Sequence, residues 1–362
     1  MKKNFWMLVV SLAWLTSCSQ SEIVDVPESR VIGFDTYVEK ISRSVQNITT
    51  ADQINYFNVF GYHASHNNGT PSGEFEEEFD NQWVKLTPTS DGSSDYWMNE
   101  KAGYWESNQL FRFAAYTNGS RQEKLNATYS AANDVLKIEG YEVTDSTSEP
   151  TAKPDLLAAI SGDIITTNAN TNTDVVFNFR HMLSKVTLVL YNASANMNLH
   201  YHNLSIANVY KKGDCSLKYN NRSITTVWDN LSKAENFSFG EQIVVPHPTE
   251  GSATYTKHEI NFYMIPQSSN KTLTFSTHQV DANGNQAYDK SYSANLSVSE
   301  VAGGEDNEWK AGHHYRYIAY LGELGHTISF SVSNIQGWIT DINGSGTTDN
   351  NDYIELELTE RQ

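Results

Sequence analysis

The chain has 362 residues, with 43 acidic against 25 basic side chains and a net charge of -18, a balance that disfavours nucleic acid and anionic membrane surfaces as partners. Its length exceeds one average domain and favours about two. After Cys18 the sequence holds only Cys215, so stability must come from packed cores and not from disulfides.

Residues 1–17 read as a lipoprotein export signal. Lys2 and Lys3 precede an apolar core from Phe5 to Leu15, and Leu15-Thr16-Ser17-Cys18 has the form of a lipobox. The apolar core is shorter than the roughly 20 residues a helix needs to cross a bilayer, which argues against a transmembrane anchor. Cys18 is therefore expected to carry lipid at a new amino terminus; Ser19 after it is not aspartate, so nothing argues for inner-membrane retention and an outer-membrane or cell-surface location is expected.

Beyond the signal, short alternating segments are cut by clusters of Asn, Gly, Ser and Asp. They run from "RVIGFDTYV" (30–38) and "YFNVFGYHA" (56–64) through "QLFRFAAY" (109–116), "VVFNFRH" (175–181) and "SKVTLVLYN" (184–192) to "KTLTFSTHQV" (271–280) and "YRYIAYL" (315–321). Period-two alternation without long amphipathic helices predicts an all-β fold of antiparallel sheets packed as sandwiches. In the first segment Ile32, Phe34, Thr36 and Val38 share one face, as a sandwich seam requires. The polar stretch "TTNANTNTD" (166–174) separates two strand-rich halves, giving an expected division into residues 18–173 and 174–362. "DANGNQ" (281–286) places Asp281, Asn283 and Asn285 like the start of a calcium loop, but Tyr292 stands where the bidentate Glu would fall, so a hairpin turn is expected. At the far end "DYIELELTE" (352–360) sets Ile354, Leu356 and Leu358 on one face and Glu355 and Glu357 on the other, after the flexible spacer "NGSGTTDNND".

Catalytic chemistry is thin. His63 and His66, and His200 and His202, each form a near pair, but neither has a third ligand nearby in sequence, so no metal site is expected. The acidic run "EFEEEFD" (74–80) reads as a solvated face, and Cys215 as a small apolar strand residue. No phosphate-binding glycine loop or nucleophile elbow is present. Neither a catalytic residue nor a cofactor is therefore assigned. Trp83, Trp97 and Trp105 fall in one region, and exposed aromatic faces stack on sugars, so a surface glycan-binding lipoprotein stands as the alternative reading.

In order along the chain, "VIGFDTYVEKISRS", "YFNVFGY", "YWESNQLFRFAAY", "PDLLAAI", "VVFNFRHMLSKVTLVL", "EWKAGHHYRYIAYL" and "ISFSVSNIQGW" resemble the fimbrillin, or Mfa-like, family of type V pilus subunits. "F-x-F-x-H-M-L-S-K" and "W-x-x-G-x-x-Y-x-Y" are its most specific parts. The resemblance implies two transthyretin-like β-sandwich domains in tandem, lipoprotein export, trimming by an arginine-specific surface protease, and polymerisation with other pilus subunits by strand exchange. A host or glycan receptor would then be the adhesive partner. The trimming motif here is Ser-Arg-Ser, where Thr-Arg is the more expected form.

Elementary physics supports that mechanism. A cut at Arg30 would leave the first strand in place, whereas a cut after Arg43 would detach Ile32, Phe34 and Val38 together with the lipid anchor at Cys18. The groove so opened would accept a matching strand by β-strand addition. Ile354, Leu356 and Leu358 repeat the same alternation and are the donor-strand candidates.

Overall fold

The computed structural model describes residues 31–38, 54–87, 96–118, 124–144, 155–167, 174–220, 222–240, 242–249, 255–296, 308–321, 329–337, 353–357 and 359–360. Among these the regular structure is strand throughout. In chain order the strands are β1 (Phe34–Val38), β2 (Tyr56–Asn67), β3 (Thr70–Pro71), β4 (Glu76–Thr87), β5 (Tyr96–Asn99), β6 (Gln109–Asn118), β7 (Ala127–Ser130), β8 (Val135–Glu142), β9 (Leu156–Ile165), β10 (Val175–His181) and β11 (Ser184–Asn192). They continue as β12 (Asn198–Asn220), β13 (Ser223–Ser238), β14 (Gln242–Val245), β15 (Thr256–Met264), β16 (Thr272–Val280), β17 (Gln286–Asn295), β18 (His313–Leu321), β19 (Ser329–Gly337), β20 (Tyr353–Glu357) and β21 (Thr359–Glu360). The all-β expectation holds.

Three sheets result. The first has the order β1-β10-β9-β6-β2-β4-β5, with β3 on β2; the second is β15-β11-β18-β19-β20; the third is β21-β17-β16-β12-β8-β7, with β13 and β14 also on β12. In the first sheet the central strands carry near-continuous buried runs because both faces are covered. Phe111, Phe113 and Ala115 of β6 and Leu157 and Ala159 of β9 point into a smaller core with Phe57, Val59, Phe177 and Phe179. Their neighbours Ala114, Tyr116, Leu156, Ala158 and Ile160 point the opposite way, into a larger core shared with Val186, Leu188, Leu217, Phe262 and Tyr317. Strand periodicity explains the split, since successive side chains leave a strand on opposite faces.

The chain passes from the first sheet to the second within two residues. His181 ends β10 and Ser184 begins β11, with Met182 and Leu183 buried between them. This differs from the expected division at 173/174, because β10 lies beyond that polar stretch and still pairs with β9 and β1. The β7–β8 hairpin differs too, joining β12 of the third sheet through pairs such as Leu217 with Leu136. Polar composition marked a connection between strands, and a connection need not change sheets.

Cys215 sits on β12 opposite Ile138, 1 % exposed, and burial pushes its thiol well above the ordinary value. It is a packing residue, as expected. "DANGNQ" closes as a tight turn: the Asp281 carboxylate accepts the backbone N–H groups of Asn283 and Asn285 at 2.9 and 2.8 Å, and Gly284 supplies φ +83°.

Candidate functional site at the two ends of the chain

The first strand plugs the smaller core. Ile32 and Phe34 are 1 % and 5 % exposed, and Thr36 two residues on is also buried. The Phe34 ring lies 5.6 to 6.4 Å from those of Phe57, Phe79, Phe113 and Phe177, mostly edge-on as ring quadrupoles prefer. Val38 pairs with Phe179 through the backbone at the end of the strand.

Hydrogen bonds run from this segment to both ends of the first sheet. On one side β1 pairs in parallel with β10, in register Phe34 with Val175 and Thr36 with Phe177, preceded by Val175 N–H donating to the Gly33 carbonyl at 2.8 Å. On the other, Ile32 N–H donates to the Gly103 carbonyl at 2.9 Å and Val31 bridges Tyr104, just past β5. Because β10 and β5 are near opposite ends of the sheet order, the first segment closes a seam between them. Parallel pairing is slightly weaker per residue than antiparallel pairing, so β1 is held mainly by its buried side chains.

The last segment lies on the sheets of its own half. β20 is the edge strand of the second sheet and pairs antiparallel with β19, setting Leu356 opposite Phe330 and Ile354 opposite Val332. β21 continues onto the third sheet, where Glu360 pairs with Tyr292 of β17. Leu358 between them, and Cys18 and Arg43 at the other end of the chain, lie outside the described residues. The two candidate strands are thus edge strands of different sheets, and the structure does not bring them together.

The motifs that carried the resemblance do meet. His181 of "HMLSK" pairs with the carboxylate of Asp155 from "PDLLAAI" in a fully buried contact. Ser184 Oγ donates to the Lys310 carbonyl at 2.9 Å, and Gly312 N–H donates to the Leu183 carbonyl at the same distance. Within "WKAGHHYRY" the Trp309 indole N–H donates to Tyr317 Oη at 2.8 Å, while Tyr315 Oη donates to the Glu308 carbonyl and accepts from Lys310 N–H. Lys185 is buried here, which lowers its pKa to about 8, with Asp155 opposing the shift. These residues build the crossing between sheets, so their role is structural and the motif tracks the fold.

The remaining sequence candidates divide clearly. Trp105 is buried edge-on against Phe111 at 4.8 Å, and Trp97 packs on Phe57 at 5.0 Å. Both belong to packing, and Trp83 is half-buried, so the three do not form an exposed sugar platform. In the acidic run Glu76, Glu77 and Asp80 are exposed, while the Glu78 carboxylate accepts Tyr104 N–H at 2.6 Å and burial raises its pKa. Buried His63 packs on Phe111 near Glu78, and His66 Nδ1 accepts Gly69 N–H at 3.2 Å. The other histidine pair gains a neighbour: His278 of β16 stands beside His200 and His202 of β12, an imidazole that nearby sequence lacked.

Known proteins set these observations in a family. A candidate cell adhesion protein from Bacteroides ovatus is similar at 13 % identity, covering 86 % of this chain and 99 % of that one, with a TM-score of 0.49. A fimbrial assembly protein from Parabacteroides distasonis is similar at 10 % identity over 84 % and 96 %, TM-score 0.39. The fimbrial anchor protein Mfa2 from Porphyromonas gingivalis is similar at 13 % identity over 85 % and 98 %, TM-score 0.30. No curated protein sequence matches the chain. The fimbrillin-like family model matches residues 43–338, from the segment after β1 to just past β19, and on that match the chain belongs to the fimbrillin-like family.

Proposed function

We propose that this chain is a structural or accessory subunit of a surface pilus, exported as a lipoprotein through Cys18 and assembled by protease-triggered strand exchange. Its first strand holds the smaller core shut until a cut after Arg43 releases it with the anchor. The groove left behind takes the Ile354, Leu356 and Leu358 row of a neighbouring subunit. One observation carries this reading: β1 is an edge strand whose Phe34, with Ile32 just before it, fills the smaller core. Removing it uncovers apolar pockets at period two and an unpaired edge on β10, which is the template strand addition needs.

Seating each large apolar side chain is worth about 1.5 to 3 kcal/mol, so a donor row of three, together with the main-chain hydrogen bonds of an added strand, works against the ordering cost of the joint. Adhesion to a host or glycan receptor would be the service of the finished fibre, and no catalytic residue is required for it. The test is mass spectrometry of the mature amino terminus from surface filaments, with electron microscopy of cells with and without the gene. Filaments built of chains starting at Ser44 support the reading. Filaments unchanged without the gene, or incorporated chains that still carry β1, overturn it.

A further inference from the structure

The outer face of the third sheet carries three imidazoles in contact. β12 alternates strictly here, with Leu199 and Tyr201 buried and His200 and His202 turned outward. His278 of the neighbouring strand β16 is the cross-strand partner of His200. His202 Nε2 lies 2.7 Å from His278 Nδ1, the His202 and His278 ring centroids are 4.3 Å apart, and those of His200 and His278 are 4.9 Å apart. One nitrogen from each ring lies within 4.8 Å of the other two.

A carboxylate stands beside one of the three rings. The pairing of β16 with β17 is irregular between Thr277 and Gln279, and beside that irregularity Asp289 Oδ1 stands 3.7 Å from His278 Nδ1. Bulges of this kind re-aim side chains. On the other side, the Gln242 amide of β14 hydrogen-bonds His200 Nδ1, which fixes that ring and leaves its Nε2 for another partner.

We propose that His200, His202 and His278 bind a divalent transition-metal ion of the zinc class on this face, with Asp289 as the fourth ligand. Three imidazoles and one carboxylate suit such an ion in tetrahedral geometry and do not suit calcium or magnesium, which prefer all-oxygen shells. The rings are nearly parallel, so rotation about the broad terminal His torsion is needed to aim the three lone pairs at one point. The ion would tie β12, β16 and β17 together, and β17 is the strand on which β21 lies.

The probe is Co2+, titrated into metal-stripped full-length chain bearing no polyhistidine tag, with the visible absorption of tetrahedral cobalt as readout and Zn2+ as competitor. One saturable equivalent, bleached by Zn2+, is expected. His278→Gln and His202→Gln should each abolish the band while circular dichroism stays unchanged, Asp289→Asn should weaken binding, and His63→Gln should bind like the parent. A parent chain with no saturable band, or an equal band in folded His278→Gln and His202→Gln, overturns the site.

Discussion

Phe34 stacks on Phe177 with ring centroids 5.8 Å apart and planes 13° from parallel, across the pairing of the first strand with β10. That contact places an edge strand's side chain among the rings of the smaller core, and it sets the cost of losing the strand.

Phe34→Ala should therefore destabilise the intact chain by about 3 to 5 kcal/mol, the range for truncating a buried aromatic. Denaturant unfolding of parent and variant measures it. A change below about 1 kcal/mol would mean that β1 lies on the core without filling it.

For the proposed lipidation, Cys18→Ala should abolish lipid labelling and leave unprocessed or misrouted protein. Metabolic labelling with a fatty-acid probe and detergent partitioning read this directly. A variant that still partitions into detergent and is trimmed normally would refute lipidation at Cys18.

The two arginines that flank the first strand should behave differently. Arg43→Ala should block conversion of the precursor to a polymer-competent form, and Arg30→Ala should not, because only a cut after Arg43 frees Ile32 and Phe34. Amino-terminal sequencing of surface protein distinguishes them, and equal effects of the two changes would sink the distinction.

For the proposed donor row, Leu356→Asp should stop polymerisation and leave the monomer folded, since it would bury an unpaired carboxylate in the proposed joint at a cost of several kcal/mol. A truncation before Asp352 should do the same, because β20 is an edge strand and β19 keeps its pairing with β18 without it. Fibres from the truncated chain alone, or loss of its β-sheet dichroism, would return Ile354 and Leu356 to ordinary packing.

Stability should also depend on pH through Lys271. Its ammonium is fully buried 4.9 Å from the Trp309 ring centre and donates to the Ser269 carbonyl at 2.7 Å, and burial lowers its pKa to about 8. Between that value and the ordinary value near 10.5, the unfolded chain binds a proton that the native state has released. The stabilising contribution is thus complete above the ordinary value and is lost as pH falls through about 8. Buried Tyr116 and Tyr315, raised to about 12, act oppositely and withdraw stability above pH about 10. Denaturation between pH 7.5 and about 9.5 should show midpoints rising with pH, with a shallower rise in Lys271→Met. An unchanged slope in that variant would remove Lys271 as a cause.

What the sequence made legible was local. Period-two alternation located β2, β6, β10, β11, β16 and β18, and the Asn-Gly turn after Asp281 and the buried strand role of Cys215 followed from residue type and neighbours. Contacts between distant segments were not legible. His202 and His278 are 76 residues apart, and only the pairing of β12 with β16 joins them. Leu136 meets Leu217 for the same kind of reason, so a polar linker could be found in the sequence while the strand partners on either side of it could not. Trp105 and Trp97 were ambiguous because an aromatic residue looks the same in sequence whether it packs or binds.

The shared wall formed by β6 and β9 has a thermal consequence. Phe113 and Leu157 line one core while Ala114 and Leu156, their immediate chain neighbours, line the other. Melting either core would pull the backbone out of register for both. Calorimetry of the intact chain should accordingly record one heat-absorption peak, where two independently folded modules would give two.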